Sequence, residues 1–73
     1  MTLTGAQARA ARSLLGWTQN RMADELRTRL SEYASFEAGK SQLSVLQTSV
    51  LKRVLERSGV VFDAADGAPR KRE

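Results

Sequence analysis

The sequence predicts an all-α fold of four or five short helices, with an extended segment at residues 60–62. Three observations carry this. Apolar residues recur at helical spacing in several separate runs. Each run is bracketed by end signals, with Thr or Ser before it and Gly after several of them. The chain has only 73 residues, room for one small domain with a thin core.

The first helix is read from "LTGAQARAARSLLGW". Thr4 is its cap, and Gln7, three residues on, completes a capping box. Ala8, Ala11, Leu14 and Leu15 share its apolar stripe. Gly16 suits the left-handed position past the end, and Trp17 can fold back as in a Schellman ending. Arg9 and Arg12, three apart, lie on or beside one face. Thr18 then caps "QNRMADEL", a two-turn helix whose inner face is Met22, Ala23 and Leu26. So short a helix needs tertiary packing to exist. A third helix is expected from about Arg29 to Ala38, with Thr28 as a candidate cap, Tyr33 and Phe36 facing inward, and Gly39 ending it. A further helical stretch from Leu43 carries Leu46, Val50, Leu51, Val54 and Leu55, with Ser44 as cap, a break near 47–48 and Gly59 at its end. Residues 1–62 form the expected domain. "DAADGAPRKRE", residues 63–73, has little to bury and reads as a disordered tail.

Composition narrows the function. Cysteine and histidine are both absent. The sequence therefore offers no disulfide framework, no His general base, no Cys nucleophile and none of the usual zinc ligands. The carboxylates Asp24, Glu25, Glu32, Glu37 and Glu56 show no metal-like or paired spacing, so no enzyme, metal or cofactor is expected. No signal peptide or bilayer-spanning run is visible, which suits a cytoplasmic protein without a membrane partner. Residues 1–62 carry 9 basic and 5 acidic groups, and residues 63–73 carry 3 of each, so the net charge of +4 belongs to the expected domain. A basic excess suits a polyanion, although it also serves ordinary solubility.

The stretch from "GWTQ" at 16–19 to "FEAGK" at 36–40 reads as a helix-turn-helix. Two helices crossing steeply through a short turn need a small residue on the first, supplied by Ala23, and inward apolar residues on the second, supplied by Tyr33 and Phe36. With Arg12, "GWTQ", Ala23, Phe36 and "EAG" together, the chain over residues 3–62 resembles the Xre/Cro/CI family of bacterial and phage repressors. That resemblance implies a lambda-repressor-like helix-turn-helix domain that binds double-stranded DNA. It departs from the family at Arg27, where Gly is frequent, and in the low basic content of the third helix.

The resemblance implies roles for individual residues. Thr18 and Gln19, at the start of the second helix, would meet a backbone phosphate, helped by free N–H groups there. Arg21, Lys40 and Ser41 are further phosphate candidates. Arg29, Leu30, Ser31, Glu32 and Ser35 would face base edges, with Arg suited to guanine, Glu to the cytosine amino group and Leu to a thymine methyl. Glu32 is tolerable there if it meets a base donor or pairs with Arg29. Arg12 and Glu37 are expected to pair within the fold. Lys52, Arg53 and Arg57 read as a solvated face, and the cations of "PRKR" as neutralised by nearby acids. A homodimer on an inverted repeat is expected, with Val60 and Phe62 at its interface through strand pairing. The rival expectation is a helix-turn-helix kept as a protein-binding module, an antiactivator or antitoxin.

Overall fold

The computed structural model describes residues 3–72. The chain runs α1 (Gly5–Leu15), α2 (Gln19–Leu26), α3 (Leu30–Glu37), α4 (Val45–Arg57), β1 (Val60–Phe62) and β2 (Pro69–Lys71). It is thus mostly helical, with a small antiparallel sheet that an all-α reading leaves out. Among the described residues no helix is long and apolar enough to cross a membrane.

Local chemistry sets the helix ends. At α1, the Gln7 N–H donates to Thr4 Oγ1 at 3.1 Å and the Thr4 N–H donates to Gln7 Oε1 at 2.8 Å, a complete capping box. Gly16 takes φ 69°, and the Trp17 N–H closes back on the Arg12 carbonyl at 3.1 Å. Ser44 and Gln47 build the same box at α4, which runs unbroken to Arg57. The expected break near 47–48 is absent: the Thr48 N–H donates to the Ser44 carbonyl at 2.9 Å, so the helical ladder continues through it, and the Thr48 hydroxyl shares the same acceptor. The cap of α3 is Arg29, not Thr28, and it makes no side-chain cap bond. Between α2 and α3, Arg27 sits in the left-handed region at φ 54°, ψ 42°. A side chain there costs about 1 kcal/mol or more, which Gly would avoid.

One core joins the four helices and β1. Leu3, Ala8, Ala11, Met22, Ala23, Leu26, Tyr33, Phe36, Leu51, Val54, Leu55 and Val60 are buried together. Leu51 and Leu55 are fully enclosed, and each burial stabilises by about 2 kcal/mol. Leu14, expected on the α1 stripe, is 38% exposed, whereas Leu15 packs against the core. Gly5 explains how closely α1 and α3 approach: a Cβ there would collide with the Phe36 carbonyl oxygen and stand 2.9 Å from Glu37 Cα. Gly is a poor helix former, yet only Gly fits this crossing.

The C-terminal segment corrects the sequence reading. Instead of a disordered tail at 63–73, residues 69–71 pair antiparallel with β1, in the register Val60–Lys71, Val61–Arg70 and Phe62–Pro69; Glu73 lies outside the described residues. The Asp63 N–H donates to the Ala68 carbonyl at 2.9 Å and the Arg72 N–H to the Gly59 carbonyl at 2.6 Å. By the antiparallel alternation, Val61 and Arg70 form the next hydrogen-bonded pair, while Val60 and Phe62 turn their main-chain groups away from β2. Pro69 therefore stands where its missing N–H costs no ladder bond.

Candidate nucleic-acid interface

The α2–α3 pair has an inner and an outer face. Met22, Ala23 and Leu26 of α2 pack inward, as do Tyr33 and Phe36 of α3. Ala23, 1% exposed, is the small residue the packing needs. The Tyr33 and Phe36 rings lie 6.1 Å apart and tilted. Outward on α3 lie Leu30, Ser31 and Glu32, preceded by exposed Arg29; Ser35 is only half-exposed, so it offers less surface than expected. Lys40 and Ser41 are exposed in the loop after α3. Glu32 does not pair with Arg29. It accepts a hydrogen bond from the Thr28 hydroxyl at 3.0 Å instead.

Behind this face lies a polar lock. Arg12 Nε donates to Glu37 Oε2 at 2.8 Å and Arg12 Nη2 to Glu37 Oε1 at 3.1 Å, a two-point grip. Arg12 Nη1 reaches the Trp17 carbonyl at 2.7 Å. Gln19 Nε2 also donates to Glu37 Oε1, at 3.0 Å. The Glu37 side chain is 2% exposed and that of Arg12 15%. Burial by itself would push the Glu37 carboxyl up, but the hydrogen bonds from Arg12 and Gln19 and the Arg12 charge hold it below its usual range. The hydrogen bond to Glu37 raises Arg12 despite partial burial. Tyr33 is pushed well up, first by burial and then by the Glu37 carboxylate, and its hydroxyl makes no well-formed hydrogen bond among the described residues.

The expected phosphate ligands divide. The Thr18 hydroxyl accepts from the Arg21 N–H at 3.0 Å and caps α2, leaving its own proton to donate. Gln19 turns its amide to Glu37, so only its remaining N–H and its oxygen are left for a ligand. Arg21 lies back over Trp17, its guanidinium carbon 4.1 Å from the ring centroid and its Nε 3.8 Å from Glu25 Oε2. Arg57 approaches the same Glu25 at 3.9 Å. Arg29, Arg27 and Lys40 are exposed and form no ion pair among the described residues.

One residue was missed. Arg9 lines a cleft of about 390 Å³ with Arg12, Gln19, Ala34, Glu37 and Ala38. The cleft opens beside the start of α2, and the two alanines leave it room. The signal was the Arg9–Arg12 spacing, which puts both cations toward one side of α1.

The interface expected at Val60 and Phe62 also changes. Val60 is fully buried in its own core, so its side chain is not available to a second copy. Phe62 is half-buried against the same core. No group of three metal-ligating side chains occurs among the described residues.

No protein-family model matches the chain, and no curated protein matches it significantly.

Proposed function

We propose that this chain is a sequence-specific double-stranded DNA-binding transcriptional regulator, a repressor that works as a homodimer on an inverted repeat. In this reading α2 and α3 form a helix-turn-helix of Xre/Cro/CI type, and α3 lies in the major groove. The observation that carries it is the division of α3: Tyr33 and Phe36 are spent on the core, while Arg29, Leu30, Ser31 and Glu32 stay outward. Around them stand the exposed cations Arg27, Arg29 and Lys40, which form no ion pair among the described residues. Arg29 is the guanine reader, Leu30 the thymine-methyl contact, and Ser31 and Glu32 the remaining base-edge groups. Thr18, the free side of Gln19, Arg9, Lys40 and Ser41 meet phosphates.

One such module covers too little duplex for strong discrimination, so two copies act together. Their contact is proposed along the outer edge of β1 and the exposed part of Phe62. The Val60 and Phe62 main-chain groups have no described partner on that side. A two-fold axis at Val61 would pair Val60 of one copy with Phe62 of the other.

Selection of bound sequences from a random duplex pool tests the reading. An enriched inverted repeat with half-sites about one turn apart, roughly 34 Å, is expected. A pool that returns no enriched sequence contradicts it.

A second reading has its own support. Leu30 is 46% exposed, Val45 87% and Leu46 74%. Large exposed apolar side chains suit a protein partner, and a helix-turn-helix can serve as a protein-binding module. That reading expects a bound protein to cover Val45 and Leu46, and no salt-dependent affinity for duplex.

A further inference from the structure

The hairpin carries a charge arrangement that the recognition face does not use. Arg70 and Lys71 of β2 are exposed and form no ion pair among the described residues. The acids once expected to neutralise them are engaged in the turn. Asp63 Oδ1 accepts from the Ala65 N–H at 2.7 Å, and Asp66 Oδ1 accepts from the Ala68 N–H at 2.9 Å. Each is a local Asx-type bond that holds the carboxylate at the hairpin tip. Neither carboxylate forms an ion pair with Arg70 or Lys71, so among the described residues the two cations stand exposed on an ordered strand.

That strand is tied to the body at both ends. Gln7 Nε2 donates to the Gly67 carbonyl at 3.1 Å, fixing the tip to the first turn of α1. Arg72 Nη2 donates to the Glu56 carbonyl at 3.3 Å, near the end of α4, and Val60 is sunk in the core beneath. The first turn of α1 is itself locked to the end of α3 by the close crossing at Gly5. The hairpin is therefore coupled to α3 through two short contacts, and its cations hold a fixed offset from the α3 outer face.

We infer that Arg70 and Lys71 form a second phosphate-contacting element, which grips the duplex backbone outside the base pairs faced by α3. The inference rests on the DNA-binding reading above. A polyanion is the fitting partner because the strand holds two exposed cations in fixed positions, with no ion pair among the described residues. Duplex DNA is its source because the hairpin is held rigidly to the proposed reading helix. A membrane surface fits less well: Val61, on the same face as Arg70, is half-buried, and among the described residues no large exposed apolar side chain lies on the hairpin beside the cations to enter lipid.

The experiment measures affinity for the selected duplex across a range of salt, together with the backbone footprint. It compares the wild type with the double variant Arg70→Gln/Lys71→Gln; Arg72 is kept because it anchors the hairpin. Each phosphate contact contributes about 0.9 to the slope of log affinity against log salt, so the double variant should lose nearly two units. Its footprint should shorten at the flanks while its sequence preference stays unchanged. The control, Arg53→Gln/Arg57→Gln, removes the same charge from α4 and should change the slope much less. Thermal melting establishes that both variants fold. If wild type binds and the hairpin variant keeps its slope and footprint, the hairpin does not touch DNA. Equal slope losses in the two variants overturn the inference as well, because they mark a general charge effect. A wild type with no affinity for any duplex removes the DNA reading itself, and this inference with it.

Discussion

Arg12 on α1 holds Glu37 at the end of α3 by two hydrogen bonds, of 2.8 and 3.1 Å. The same carboxylate receives Gln19 from the start of α2. One buried anion thus gathers three helices at the base of the outer face of α3. A buried pair gives little net stability over an apolar one, but an orphaned partner is costly. The lock is therefore best understood as fixing orientation.

Replacing Glu37 by Gln should cost about 3 kcal/mol, toward the low end for a broken buried pair because Arg12 keeps some contact with water. Urea unfolding at neutral pH measures this. The pH dependence follows from the depressed carboxyl. The folded form holds Glu37 ionised below the ordinary value of 4.5, so its contribution is full above that pH. It is lost as pH falls through the lower folded value. The gap between wild type and Glu37→Gln should therefore be constant near neutrality and shrink below pH 4.5. A gap that stays constant into strong acid would mean that Glu37 ionisation does not support the fold.

Tyr33→Phe should be neutral or stabilising by up to about 1 kcal/mol, since the buried hydroxyl has no well-formed bond to lose and its burial is unfavourable. Tyr33→Ala should cost about 4 kcal/mol through the cavity it leaves. Equilibrium unfolding of both variants separates ring from hydroxyl. A large loss in the Phe variant would reveal a bond to Glu37 or Arg12.

Arg27→Gly should raise stability by about 0.5–1 kcal/mol by relieving the left-handed residue between α2 and α3. Thermal melting checks the sign. A lower midpoint would mean that the Arg27 side chain makes contacts worth more than the strain.

Removing residues 63–73 takes away β2 and the Gly67 anchor. Val60 then loses cover, and a cost of about 1–3 kcal/mol is expected from exposed apolar surface. Melting of the truncated chain measures it. An unchanged midpoint would mean that the hairpin rests on the core without supporting it.

Arg29→Ala should leave the melting midpoint unchanged while removing discrimination worth about 1–3 kcal/mol at one base pair. Leu30→Ala should weaken preference at a neighbouring thymine. Competition binding with single-substituted duplexes measures both, and unchanged preference in both variants favours the protein-binding reading.

Much of the helical part was legible because its signals are local. Thr4 with Gln7, and Gly16 with Trp17, act within a few residues of each other, so spacing alone revealed them. The Arg12–Glu37 pair is distant in sequence and was accessible only through the family resemblance. The hairpin was hidden for a physical reason. Pro69, Arg70 and Lys71 have little intrinsic strand preference, and their order depends on the Gln7–Gly67 and Arg72–Gly59 bonds, which no local pattern announces. The placement of Arg21 over Trp17 was likewise a competition among partners, not a matter of spacing. Gln19 was read as free for phosphate because its acceptor, Glu37, lies 18 residues away.

The central claim is that the outer side of α2–α3 binds duplex DNA. Amide NMR shifts, recorded while a selected duplex is added at physiological salt, test it most directly. The account predicts the largest changes at Thr18, Gln19, Arg29 to Glu32, and Lys40 to Ser41, all weakening as salt is raised. Absence of change in those segments at any duplex concentration would contradict it.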